Sequence, residues 1–410
     1  MALSRADCEA MDRDDPLAPK RAAFLLPEGQ IYLDGNSLGV LPRGVEERVV
    51  DLIRNQWGKD LIVSWNKHGW IDLPQKVGNR IARLVGAEPG SVISADSTSI
   101  NLFKLVAAAL ALNPGRGTIL SDTGNFPTDL YMASGVAGMM AKGVRVTTVA
   151  PEDVASAIDA DTALVMLTHV DYRTGRMHDM RAITALAHQH GALMLWDLAH
   201  SAGAMPLDLA GCDTDFAVGC SYKYLNGGPG APAFLYVAPR HQDSAISPLS
   251  GWLGHAAPFA FDLDYRPAEG IGRFICGTPN LLSLVALDAA LDAFDGVDLD
   301  ALRRKSEQLG DLFIRLVDQE CSGFGLASAR QAAARGSQVS LRHPEGYAIM
   351  QALIARGVVG DFRSPDVLRF GFTPLYLGFA DVFDAVAHLK AVMAAGEWQR
   401  AEFRTRAKVT

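Results

Sequence analysis

From residue 71 to residue 237, short apolar runs alternate with amphipathic ones, and nothing else in the chain restricts its fold as strongly. Apolar runs without internal alternation are buried on both faces. When helical spacing separates them, they indicate a mainly parallel sheet with helices on each side. The predicted strands are 118–121, 144–149, 163–168, 192–196, 216–219 and 233–237. Between them Val77, Ile81, Leu84 and Val85 keep helical spacing, as do Ile183, Leu186 and Ala187. The fold class is therefore α/β. A chain of 410 residues has room for a second, smaller domain. An apolar helical run over 281–294 leads into charged helices near 300–318, and 338–341 and 367–372 read as strands beyond them. The expected division is a segment 1–60 packing on the small domain, a large domain 61–295 and a small C-terminal domain 296–410.

Composition removes several classes of function. A formal net charge of -8, with no cluster of Lys and Arg, argues against a nucleic-acid surface. The most apolar stretch, 102–112, is too short for a membrane span, which takes about 20 residues. The first 23 residues, rich in charge, lack the apolar core of an export signal. Five cysteines, Cys8, Cys212, Cys220, Cys276 and Cys321, form no CxxC pair, so neither a disulfide framework nor a zinc site is expected. Reduced thiols in a cytoplasm fit this pattern.

Three places carry chemistry. The run 192–196 ends in Asp197, with His200 and Ser201 just beyond, and an acid at a strand's carboxyl end is a common active-site position. The run 216–219 is followed by Tyr222 and Lys223 and then by Asn226, Gly227, Gly228, Pro229 and Gly230, which set the lysine on a tight connection. Ser97, Thr98 and Ser99 precede a helix, where free amides and hydroxyls suit a phosphate. Singly, these are a cap, a surface lysine and another cap. Jointly, an acid, a histidine and a lysine follow successive strands of one sheet, with a phosphate-ready helix start upstream.

These segments resemble the fold-type I pyridoxal-phosphate enzymes and, within them, the kynureninases. The resemblance runs through Leu33 to Gly39, Asp96 to Lys104, Asn125 to Asp129, Thr168 to Gly175, Asp197 to Gly203, Ser221 to Asn226 and Leu368 to Tyr376. It implies a fold-type I PLP-dependent transferase-like architecture: a mainly parallel seven-stranded sheet sandwiched by helices, plus a smaller α+β domain. It also implies pyridoxal 5′-phosphate held through a Schiff base on Lys223. Asp197 would face the pyridine nitrogen and keep the ring an electron sink, and Lys223 would then move protons. By the same resemblance Phe126 stacks on the ring, Thr168 and His200 lie beside it, and Asp129 hydrogen-bonds nearby. Thr98, Ser99 and Tyr222 contact the phosphate, with Tyr222 also a proton donor. Trp252 and Thr278 would come from a partner subunit, which makes the protein a homodimer. Arg369 would clamp the carboxylate of L-kynurenine, with Asn36 and Ser37 close by, and Trp65 would face the aromatic ring and favour substrate without a 3-hydroxyl.

Other readings predict different furniture. A cysteine desulfurase or class V aminotransferase shares the fold type, and Cys321 is the one loose candidate for a reactive thiol. Gly35-Asn36-Ser37-Leu38-Gly39 formally matches a serine-hydrolase elbow, although Pro42 and Arg43 interrupt the approach to a helix. A non-catalytic regulator would carry an added DNA-binding module, for which the acidic segment before Ile31 is too short. Asp197 and His200 lack a third ligand with metal spacing, so no metal is expected.

Overall fold

A computed structural model describes residues 3–140 and 143–406. The strands, in chain order, begin with β1 (Ile31–Tyr32), β2 (Val92–Ser94), β3 (Thr118–Asp122), β4 (Arg145–Val149), β5 (Thr162–Thr168), β6 (Leu193–Asp197), β7 (Phe216–Gly219) and β8 (Phe234–Val237). Seven of them form one sheet in the order β2-β8-β7-β6-β5-β3-β4. Its core, β4-β3-β5-β6-β7, is parallel, and only β8 runs against its neighbours. Every residue of β5 is buried, which is why its sequence shows no alternation. The pleat still divides it: Val165 and Leu167 join one apolar core with Met194 and Trp196, while Leu164 and Met166 join a second core with Leu195 and Val218. Helices Leu73–Leu84 and Met180–Gln189 bury residues on the first side and helix Thr98–Leu112 on the second. The sheet is thus filled on both faces.

The remaining strands are β9 (Gly325–Leu326), β10 (Gln338–Arg342), β11 (Val358–Val359), β12 (Asp361–Arg363) and β13 (Val367–Gly371). An antiparallel sheet takes the order β12-β13-β10-β9, and helix Leu299–Glu320 lays Phe313 against Phe370 and Phe372 of that layer. The segment before residue 60 is stitched onto this second unit. β1 pairs with β11 in parallel, the amide of Gly371 donates to Leu33 O (2.7 Å), and the Asp12 carboxylate accepts from the first amides of helix Phe379–Ala395. Lys305 and Asp15 form an enclosed ion pair at 2.7 Å. No helix among the described residues is long and apolar enough to cross a membrane.

One buried charge holds the end of the sheet remote from the strands' carboxyl termini. Asp215, just before β7, accepts from Met194 N, His188 Nε2, His241 Nε2 and Arg240 Nη2 at 2.7 to 2.8 Å. Burial alone would raise its pKa, but these donors carry it well below the ordinary carboxylate range. A depressed carboxyl stabilises the fold above its unfolded value, about 3.9, and that contribution fades as the pH falls through the folded value. Asp215→Asn is expected to lower unfolding free energy by about 2–3 kcal/mol at neutral pH. In urea titrations the deficit should shrink as the pH drops below about 4.

Candidate active site

The ladders of the large sheet align its functional side chains. Thr168, the last residue of β5, lies opposite Asp197, the last of β6, and Asp197 in turn opposes Val218 of β7. The chain leaving β7 turns at once through Cys220 to Lys223. Gly227 N donates to Ser221 O and Asn226 N to Lys223 O, both at 2.9 Å, with Asn226 in the left-handed region at φ 58°. Across from them, Ser97 caps helix Thr98–Leu112 by accepting from Ile100 N (3.4 Å), which leaves the preceding first-turn amides outside the helical ladder. Together these ends enclose a cavity of about 260 Å³.

Of the residues proposed from sequence, Thr98, Ser99, Phe126, Asp129, Thr168, Asp197, His200, Tyr222 and Lys223 all line this cavity. Asp197 accepts from Ala199 N (2.7 Å) and is nearly sealed from solvent. Asp129, also sealed, faces it, and burial together with the Asp197 charge raises the Asp129 carboxyl well above the usual range. Burial raises the Asp197 carboxyl as well, but the Lys223 charge and the Ala199 amide oppose that rise, so Asp129 is the carboxyl of the pair that takes a proton more readily. Lys223 Nζ lies 3.0 Å from His200 Nε2. Burial, reinforced by the Lys223 charge, holds His200 well below its ordinary value, so the ring is neutral and Nε2 accepts from the lysine. Burial, followed by the neighbouring Cys220, pushes the Tyr222 phenol up, so it remains protonated.

The cavity also suits a polar ligand by what it leaves unsatisfied. Among the described residues, Asp129 Oδ2 and His200 Nδ1 are buried without hydrogen-bond partners, an arrangement a bound group would repair. The wall offers hydroxyls and amides at one end, the Asp129–Asp197 pair at another, the Phe126 ring and one amine. That donor set matches a phosphorylated pyridine aldehyde.

Six proposed residues fall elsewhere. Arg369 is 1% exposed in β13, bound to Asp361, and Ser37 touches both; neither side chain lines the cavity. Asn36 is fully buried, donating to Gln338 Oε1 (3.3 Å) against the Gly371 backbone, so in this chain it packs rather than faces a ligand. Trp65 lies half-buried with its ring edge-to-face on Trp70, away from the cavity. Trp252 and Thr278 are exposed and contribute nothing to the cavity of their own chain. Four wall residues, Thr128, Tyr172, Ala199 and Cys220, were given no role from sequence. Tyr172 packs edge-to-face on Phe126 at 5.1 Å, and Cys220 points its thiol at Ala199 O (3.8 Å). Their signal was position, since both lie within a few residues of a strand's carboxyl end.

The rival sites do not assemble. Ser37 Oγ donates to Asp361 (2.8 Å) with no histidine in the contact, and no helix follows Gly39 directly, so the Gly-x-Ser-x-Gly match is incidental. Cys321 caps the end of helix Leu299–Glu320, buried, and burial with Glu320 raises its thiol to about 11, the reverse of a reactive thiolate. No group of three or more His, Cys, Asp or Glu able to hold a metal occurs among the described residues.

Comparisons with known proteins agree with this geometry. Residues 302–389 match the family described as the kynureninase C-terminal domain, and residues 73–213 match the DegT/DnrJ/EryC1/StrS aminotransferase family. The chain is similar in fold to the cysteine desulfurase CsdA from Escherichia coli, with a TM-score of 0.77 at 19% identity over 92% of this chain and 98% of that one. It is similar also to the cystine C-S lyase C-DES, with a TM-score of 0.74 at 19% identity over 88% and 98% of the two chains. Fold and cavity together define a fold-type I pyridoxal-phosphate enzyme. Kynureninases of Pseudomonas fluorescens and Burkholderia pseudomallei are each 52% identical over 99% of this chain and 100% of their own. The chain belongs to the kynureninase family.

Gly39 shows how closely the N-terminal segment is applied to the lysine turn. Its amide donates to Tyr222 O (2.8 Å), and a Cβ there would lie 2.4 Å from Lys223 O and 2.6 Å from Asn226 Cα. Both obstacles are backbone. Gly39→Ala is therefore expected to shift the Lys223 turn, lowering kcat at least tenfold while destabilising the fold by only about 1–3 kcal/mol in thermal melts.

Proposed function

We propose that this cavity hydrolyses the Cβ–Cγ bond of L-kynurenine, consuming water and giving anthranilate and L-alanine, with pyridoxal 5′-phosphate carried on Lys223. The observation that carries the reading is the 52% identity to the Pseudomonas fluorescens kynureninase across 99% of the chain. When bound, the cofactor supplies a protonated pyridine ring that accepts electrons from carbanions formed on the substrate. Asp197 keeps that ring protonated, and the proton held on Asp129 allows Asp197 to stay charged beside it. Thr98, Ser99 and Tyr222 hold the phosphate, Phe126 covers the ring, and Thr168 and His200 border it.

Lys223 carries the Cα proton, and the neutral His200 fixes its Nζ by accepting a hydrogen bond. Tyr222, kept protonated by burial, delivers a proton to Cβ of the departing alanyl fragment. Arg369 takes the α-carboxylate, since a planar guanidinium offers two parallel donors that a lysine lacks. Ser37 stands beside it.

Trp252 and Thr278 serve the site of a second copy, and the protein works as a homodimer. Support comes from the apolar surface near Trp252: Phe259 is 64% exposed, Phe261 75% and Leu263 100%, more than an isolated chain leaves to water. Trp65, although outside the cavity of its own chain, is assigned to aromatic-ring selection by its likeness in sequence, and its indole offers area but little polar pairing for a 3-hydroxyl. The five free thiols and the acidic balance fit a cytoplasmic enzyme that binds neither membrane nor nucleic acid.

Purified protein should show the visible absorbance of a lysine-linked cofactor and release fluorescent anthranilate from L-kynurenine. Lys223→Ala should lose both, and full activity in that variant would overturn the reading. The kcat/KM for L-kynurenine should exceed that for 3-hydroxykynurenine, while equal values would remove the role given to Trp65. Sulfide release from cysteine without anthranilate formation would favour a desulfurase instead.

A further inference from the structure

Arg369 is enclosed in β13, yet its N–H groups are answered unequally. Along one edge Nε (2.6 Å) and Nη2 both donate to the carboxylate of Asp361, which sits directly opposite it in the β12–β13 ladder. Along the other edge Nη1 donates to the backbone carbonyl of Tyr172 (2.6 Å) and Nη2 to the hydroxyl of Ser37 (2.9 Å). The first edge is thus held by an ion and the second by two neutral oxygens. Tyr172 belongs to the cavity wall, and Arg369 is near enough to the wall residue His200 for its charge to act on that ring. A carboxylate brings a full negative charge that the carbonyl and the hydroxyl lack, so an arriving one would displace those two acceptors but not Asp361, which already carries such a charge.

Asp361 is also secured on its own account. Arg363 Nη2 reaches it at 2.8 Å and Ser37 Oγ donates to it at 2.8 Å. Burial pushes its carboxyl up, but the Arg369 bonds carry it below the usual range, so it is ionised and fixed. An unsupported guanidinium on a long side chain would have many orientations, and only a few would aim two parallel donors at the cavity.

We propose that Asp361 is a positioning residue: by occupying the Nε–Nη2 edge of Arg369 it reserves the Nη1–Nη2 edge for the α-carboxylate of the amino-acid substrate, whose two oxygens replace Tyr172 O and Ser37 Oγ. This rests on the reading of Arg369 as the carboxylate clamp. Asp361 itself touches no substrate, and its effect is confined to ligands that bear the carboxylate.

The holoenzyme tests this through a ratio: the KM for L-kynurenine against the inhibition constant of its decarboxylated amine. Asp361→Asn is expected to raise KM at least tenfold, with a smaller fall in kcat, and to leave the amine's inhibition constant within twofold. Asp361→Glu, which keeps the charge but moves it by one methylene, should fall between, and it decides by the same ratio if the asparagine variant does not fold. Arg369→Met separates the two claims. If that variant leaves the ratio at the wild-type value, the clamp reading itself fails. If it collapses the ratio while both Asp361 variants keep it, the clamp stands and Asp361 is only a core ion pair. Equal weakening of substrate and amine in the Asp361 variants would likewise overturn the positioning role.

Discussion

A carboxylate at the buried end of a strand is costly unless a cation or several donors answer it, and Asp197 is such a group. Much of the site can be read as the answer. The Ala199 amide takes one oxygen, Asp129 gives up its own ionisation beside it, and Lys223 supplies the positive charge. Burial, reinforced by the lysine's charge, keeps His200 neutral. Electrostatics in this cavity therefore form a chain of dependences that begins with one acidic residue where β6 ends. The sheet fixes that starting point, because the β5–β6–β7 ladders set which residues end side by side.

The second charged cluster is built on a different plan. In the cavity one proton is shared between two acids, whereas around Arg369 full charges are matched by full charges and the hydroxyl of Ser37 fills in. Asp34, nearby, is raised to about 7 by burial and by Asp361, so this cluster too keeps one carboxyl close to neutrality. Both solutions hold ionised groups in a dry interior without leaving a net charge uncompensated. On the proposed reading they also separate tasks: proton traffic at the end of the large sheet, and carboxylate recognition on the small one.

How much of this was legible in the sequence follows the physics of each signal. Doubly buried strands such as β5 and β6 announce themselves as unbroken apolar runs, and the parallel core was read from them. β2 has three residues and β1, β9 and β11 have two, too few to carry any period, so their pairings were invisible. Asp197, His200, Lys223, Thr98 and Ser99 were found because strand ends and helix starts have characteristic chemistry, whereas Phe126, Asp129 and Thr168 came from resemblance alone. Asn36 was placed with the substrate through the resemblance of the 33–39 segment, but neighbouring side chains in a turn point different ways, and this one points into the core. Trp65 shows the same limit, since likeness of sequence marks a position without giving its direction. Tyr172 and Cys220 needed the folded wall to be noticed.

The contact between Ser37 and Arg369 joins positions 332 residues apart in the chain. During synthesis at roughly 10 residues per second, the turn that carries Ser37 waits about half a minute before its partner emerges. Over that interval the large sheet can form from local crossovers, but the segment that braces the lysine turn through Gly39 has nowhere to dock through β1, because β11 does not yet exist. The site is thus completed last, and a chain interrupted short of β11 would hold its lysine with neither this docking strand nor Arg369.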